Sequence, residues 1–90
     1  MIEREVELIN RLGLHARAAG RLVRLASDFR STIKLSNTIV GRSADAASIL
    51  DLLSLGASQG VTLLLTVDGQ DELEAVSAVV RLFEEGFDEI

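Results

Sequence analysis

Ser31-Thr32-Ile33-Lys34-Leu35-Ser36-Asn37-Thr38-Ile39-Val40-Gly41-Arg42-Ser43-Ala44 decides the fold. Ile33 and Leu35 alternate with Lys34, the period-2 pattern of a strand with one wet face. Asn37 and Thr38 are turn formers, and Ile39 to Ala44 reads as a shorter, weaker strand. Two strands joined by so short a connection run antiparallel. The flanking segments carry helical periodicity, so this hairpin belongs to a sheet covered by helices on one face.

Working outward, Glu3, Glu5 and Glu7 alternate with Ile2, Arg4, Val6 and Leu8, so Ile2 to Ile9 is a strand. Arg4 interrupts its inward row and places it at the sheet margin. Asn10-Arg11-Leu12-Gly13 ends that strand, and Ala16 to Ser27 follows as a helix. Ala19, Leu22, Val23 and Ala26 share one face of it, and Arg17, Arg21 and Arg24 share the other.

Ser48-Ile49-Leu50-Asp51 fits a capping box, with Ser48 as N-cap and Asp51 three residues on. Leu52, Leu53 and Leu55 carry a short helix to Gly56, a left-handed stop. From Gly60, the residues Val61, Leu63, Leu65 and Val67 face one way along a strand that ends at Asp68-Gly69. Asp71 to Glu85 is the longest helix, with Leu73, Val76, Val80 and Phe83 on one face and Gly86 as its cap. The order is β-α-β-β-α-β-α.

Ninety residues with 48% apolar content suffice for one small two-layer domain, stable by about 5–10 kcal/mol, and 1–90 reads as a single domain. Nine basic against fourteen acidic residues leave a net charge of −5, which disfavours nucleic acid and anionic membrane as partners. The chain has no cysteine, which removes disulfides and thiolate chemistry and suits a reducing cytoplasm. No signal sequence is legible at the N-terminus, and no apolar run approaches the length of a bilayer span.

One histidine with scattered carboxylates is no zinc site. The Gly-x-Ser-x-Gly elbow, the Walker A pattern and Gly-x-Gly-x-x-Gly are all missing. No metal and no cofactor are expected.

His15 remains, within Gly13-Leu14-His15-Ala16-Arg17 at the start of the first helix. A neutral imidazole is a nucleophile at physiological pH. A phosphoryl group on it would meet the backbone N–H groups of Ala16 and Arg17, the positive helix end and the Arg17 guanidinium. Arg21 and Arg24 extend the positive face toward an acidic partner, although like charges at this spacing cost about 0.2–0.5 kcal/mol per pair. The same residues also fit an ordinary surface histidine and a solvated arginine face, and Ser48 also fits a plain helix cap.

Gly13-Leu14-His15-Ala16-Arg17-Ala18-Ala19 resembles the phosphorylation-site motif of HPr, the histidine-containing phosphocarrier family of the phosphoenolpyruvate-dependent phosphotransferase system. Gly41 to Leu50 resembles the family's regulatory-serine signature, and Leu55-Gly56-Ala57-Ser58-Gln59-Gly60 its turn into the fourth strand. The resemblance runs from about Val6 to Phe87, and the closing Leu82 to Glu89 is similar to the nitrogen-related NPr branch.

The family implies an α+β open-faced β-sandwich, with an antiparallel sheet in order 1-4-2-3 and three helices on one face. It implies that His15 accepts phosphate on Nδ1 from phosphoenolpyruvate-protein phosphotransferase (enzyme I type) and hands it to an EIIA-type acceptor protein, with Arg17 steadying it. It further implies a monomer, with Ser48 as the regulatory serine, Ile49 and Leu50 as a docking patch, and an HPr kinase/phosphorylase as a possible partner. Ala18 stands where the family usually has proline. Ala47 replaces the basic residue that often precedes the serine, which weakens the case for a kinase. The rival from a different class is a non-phosphorylated regulatory binding domain on the same scaffold; a small stand-alone hydrolase is a third.

Overall fold

The computed structural model describes residues 1–89. Its elements are β1 (Ile2–Glu7), α1 (Ala16–Ala26), β2 (Thr32–Asn37), β3 (Arg42–Asp45), α2 (Ile49–Leu53), β4 (Thr62–Asp68) and α3 (Glu72–Glu84), followed by a 3₁₀ turn over Gly86–Asp88. The strands form one antiparallel sheet in the order β1-β4-β2-β3, with the helices on one face.

Register explains which residues go inside. Val6 lies opposite Leu63, Leu35 pairs with Leu65 on one side and Ala44 on the other, and Ile33 pairs with Val67. All seven are buried, and they meet Ala18, Ala19 and Leu22 of α1, Leu52 of α2 and Ala75, Val76, Val79 and Phe83 of α3 in one core. Each large apolar side chain so buried contributes roughly 1.5–3 kcal/mol. Arg4 lies opposite Leu65 on the same row but stays exposed, because β1 is an edge strand.

Three expectations need correction. The hairpin turn lies later than Asn37-Thr38: Asn37 closes β2, paired with Arg42, and the turn runs over Thr38 to Gly41. Gly41, at φ +70°, supplies the left-handed step that this turn needs, so Ile39 and Val40 are exposed turn residues instead of strand. On α3, Leu73 is exposed and Val80 only half-buried, while Ala75 and Val79 join Val76 and Phe83 inside. The helix is rotated so that small Ala75 is buried, where Leu73 was expected.

The capping box is half formed. Ser48 Oγ accepts from the Asp51 N–H at 3.2 Å, but the Ser48 N–H goes to the Asp45 carbonyl at 3.0 Å and not to the Asp51 carboxylate. Gly56 and Gly86, both at φ +60°, act as the expected left-handed stops.

Candidate functional site

The loop between β1 and α1 is stapled to the loop entering β4. Gly60 N–H donates to the Leu8 carbonyl at 2.7 Å and Leu14 N–H to the Ala57 carbonyl at 3.0 Å. Gly13, at φ +64°, fits only because it lacks a side chain: a Cβ there would stand 2.7 Å from both the Ala57 carbonyl oxygen and the Ser58 Cα. This close approach aims the chain so that His15, in extended conformation, becomes the N-cap of α1.

Among the described residues no side chain caps α1, and its first turn carries no acidic residue. The leading N–H groups and the positive helix end are therefore left to whatever anion approaches. Ala16 and Arg17 are exposed and His15 is half-buried, as a site reached from outside requires.

The C-terminal turn supplies what the sequence did not announce. Glu89 Oε2 lies 2.6 Å from His15 Nε2 and 3.3 Å from Arg17 Nε, and Glu89 Oε1 accepts from Asn10 Nδ2 at 2.9 Å. Asn10 is fully buried and also donates to the Gly13 carbonyl at 2.8 Å. Both partners are acceptors, which fixes the orientation of the amide. Partial burial pushes the Glu89 carboxyl upward, but the Asn10 and His15 hydrogen bonds and the charges of His15 and Arg17 outweigh it, and the group is held below the ordinary glutamate range.

Glu89 reaches this place because the backbone reverses at Phe87 and Asp88, both left-handed at φ +55° and +61°. A β-carbon makes that conformation costly. The buried ring of Phe87 and a hydrogen bond from Arg21 Nη1 to the Phe87 carbonyl hold it.

The predicted residues are thus partly gathered. His15, Arg17 and the first-turn backbone of Ala16 and Arg17 share one site. Arg21 anchors the C-terminal turn and stands 3.9 Å from Asp88, so it is less free for a partner than expected. Arg24 is exposed at the far end of the same helix. Ile49 and Leu50 are exposed on α2, which packs beside α1.

Sequence reasoning missed Asn10, Glu89 and exposed Leu12. The last lines a groove of about 450 Å³ together with Arg11, Arg17, Arg21, Asp88 and Glu89. The signals present were an asparagine at a strand end and an acidic tail, and neither specifies a contact 79 residues away.

Comparison with known proteins is consistent along the whole chain. Residues 2–85 match the family described as the PTS HPr component phosphorylation site. The chain is 44% identical over 89 residues to the phosphocarrier protein HPr of Cupriavidus necator, covering 99% of this chain and 98% of that one. It is also 44% identical over 86 residues to the phosphocarrier protein NPr of Proteus mirabilis, covering 96% and 94%. The crystal structure of HPr-C-His from Thermoanaerobacter tengcongensis superposes with a TM-score of 0.93 at 41% identity, covering 100% of this chain and 99% of that one. An uncapped helix start at His15, a 1-4-2-3 sheet and agreement with these relatives from end to end place the chain in the HPr phosphocarrier family.

Proposed function

We propose that this chain works as a single phosphocarrier domain in which His15 accepts a phosphoryl group from phosphoenolpyruvate-protein phosphotransferase and passes it to an EIIA-type acceptor. The observation that carries this reading is the placement of the one imidazole at an α-helix start that no side chain caps among the described residues, with Arg17 beside it. The first-turn N–H groups would take phosphoryl oxygens, and the Arg17 guanidinium donors not turned to Glu89 would take more.

The site is open to solvent, which suits protein-to-protein transfer, because the partner supplies the walls that exclude water. Arg11, Arg17 and Arg24 are exposed and favour an acidic partner surface, with Leu12, Ile49 and Leu50 as its apolar contacts. A phosphoryl group on Ser48 would add a dianion beside Ile49 and Leu50 and oppose that docking. The cap hydrogen bond to Asp51 already gives this serine a role.

The test is incubation with phosphoenolpyruvate and a phosphoenolpyruvate-protein phosphotransferase, followed by intact mass. An acid-labile gain of one phosphoryl group that disappears in His15→Ala supports the carrier. Retention of partner binding and regulatory output by His15→Ala, with no gain in the parent, would support the non-phosphorylated binding domain instead.

A further inference from the structure

We propose that Glu89 is the positioning residue of His15: its carboxylate holds the proton on Nε2 and so presents Nδ1 as the unprotonated, phosphoryl-accepting nitrogen. This rests on His15 being the acceptor and on the Nδ1 that the family resemblance implies, and adds what selects that nitrogen.

The geometry leaves little freedom. An ionised carboxylate can only accept a hydrogen bond, so the 2.6 Å contact requires a hydrogen on Nε2. In the neutral ring the lone pair is then on Nδ1. Nδ1 is bonded to Cγ and is the ring nitrogen nearer His15's own backbone. The Nε2 edge is taken by Glu89, and the Nδ1 edge is left to the phosphoryl donor.

Glu89 is itself fixed from several directions. Asn10, buried and also bonded to the Gly13 carbonyl, holds Oε1, and Arg17 joins His15 at Oε2. Buried Phe87 and the Arg21 hydrogen bond set the backbone from which Glu89 extends. The carboxyl is held below its ordinary range, which keeps it an acceptor at neutral pH. The charged groups around the pair are Arg17 and Arg21 of α1, Asp88 of the C-terminal turn and Arg11 of the loop after β1.

In the transfer, the Nδ1 lone pair forms the bond to phosphorus. The bond from phosphorus to the donor's leaving group breaks, and its electron pair departs with that group. The hydrogen on Nε2 stays, so the phosphorylated ring carries a positive charge between the phosphoryl group and the Glu89 carboxylate. Onward transfer reverses the same steps and releases a neutral imidazole with its hydrogen already on Nε2.

Two variants separate this arrangement from a merely structural tail. Glu89→Ala removes the acceptor. In Glu89→Gln, the Asn10 amide draws the new amide oxygen to itself, so the amide N–H faces Nε2 and selects the hydrogen on Nδ1, the wrong tautomer. Both changes lie beyond the buried Phe87 and leave the core intact, which an amide NMR spectrum checks. Nitrogen-15 imidazole spectra at about pH 9, where an ordinary imidazole is neutral, read the tautomer without any donor.

We expect the Nε2–H form in the parent, a mixture in Glu89→Ala and the Nδ1–H form in Glu89→Gln. Phosphoryl acceptance should fall about tenfold in Glu89→Ala and about a hundredfold in Glu89→Gln. Parent-like tautomers and rates in both variants overturn the proposal, as does faster acceptance by Glu89→Ala, which would make Glu89 a competitor for the phosphoryl group. A parent that is not phosphorylated on His15 overturns the carrier reading, while the tautomer spectra still report on the Glu89 contact.

Discussion

Phe87 packs edge-on against Phe83, with ring centroids 5.0 Å apart and planes at 66°. This pair joins the last turn of α3 to the left-handed reversal that follows it, and so connects the core to the carboxylate at His15. Edge-to-face pairs of this kind contribute about 0.5–1.5 kcal/mol beyond the area they bury.

Phe87→Ala should therefore do two things. Loss of a fully buried ring costs about 3–5 kcal/mol of stability, measurable by urea denaturation. The reversal at residues 87 and 88 also loses its anchor, and the His15 imidazole spectrum should move toward that of Glu89→Ala even where the protein remains folded.

Gly13→Ala places a methyl group into the Ala57 and Ser58 backbone in a left-handed conformation. The expected loss is about 3 kcal/mol, seen as a lower urea midpoint. Because the shift separates the two loops beside His15, phosphoryl acceptance should fall by more than any loss of folded protein accounts for.

Ser48→Ala removes the cap of α2 and should cost about 1 kcal/mol, with His15 phosphorylation unchanged. Ser48→Asp keeps a cap but adds charge beside Ile49 and Leu50. Calorimetric titration against the phosphoryl donor should show binding weakened by Ser48→Asp and not by Ser48→Ala.

Stability should decline on both sides of neutrality. Asp71 is lowered by hydrogen bonds from the Ser31 hydroxyl and the Arg30 and Ser31 N–H groups, Glu72 by the Gly69 N–H and the N-terminal ammonium, and Glu89 as described. Below the ordinary carboxyl values of 3.8 and 4.5 the unfolded chain binds more protons than the folded one. Their contribution is thus complete above those values and lost as pH falls through the depressed ones. The Met1 ammonium, raised chiefly by its hydrogen bond to Glu72, works in the opposite sense: its contribution is complete below 8.0 and lost as pH rises through the raised value. Urea midpoints measured across pH should show an acid limb that is flatter in Asp71→Asn.

The elements legible in the sequence were those with an unbroken local period. Ile33, Leu35, Leu63, Leu65 and Val67 alternate cleanly and are buried as read. The glycines at 56 and 86 stop helices where left-handed geometry was expected. Leu73 misled because an apolar residue near a helix start matches the periodicity while the packing angle of α3 turns it outward. Ile39 and Val40 misled because β-branched residues read as strand, yet the short connection needs them in the turn. At the site, His15 and Arg17 were legible because neighbours in sequence share one helix end. The Asn10–Glu89 link was not, since it depends on where the reversal at Phe87 and Asp88 returns once the whole sheet has formed.

With His15 as the proposed carrier, its place at one helix end also constrains how the partners meet. Giver and receiver must stand on the same patch, so the two exclude each other and turnover alternates between two binary encounters. Throughput then depends on how quickly each partner lets go, and tight binding by either would stall the relay.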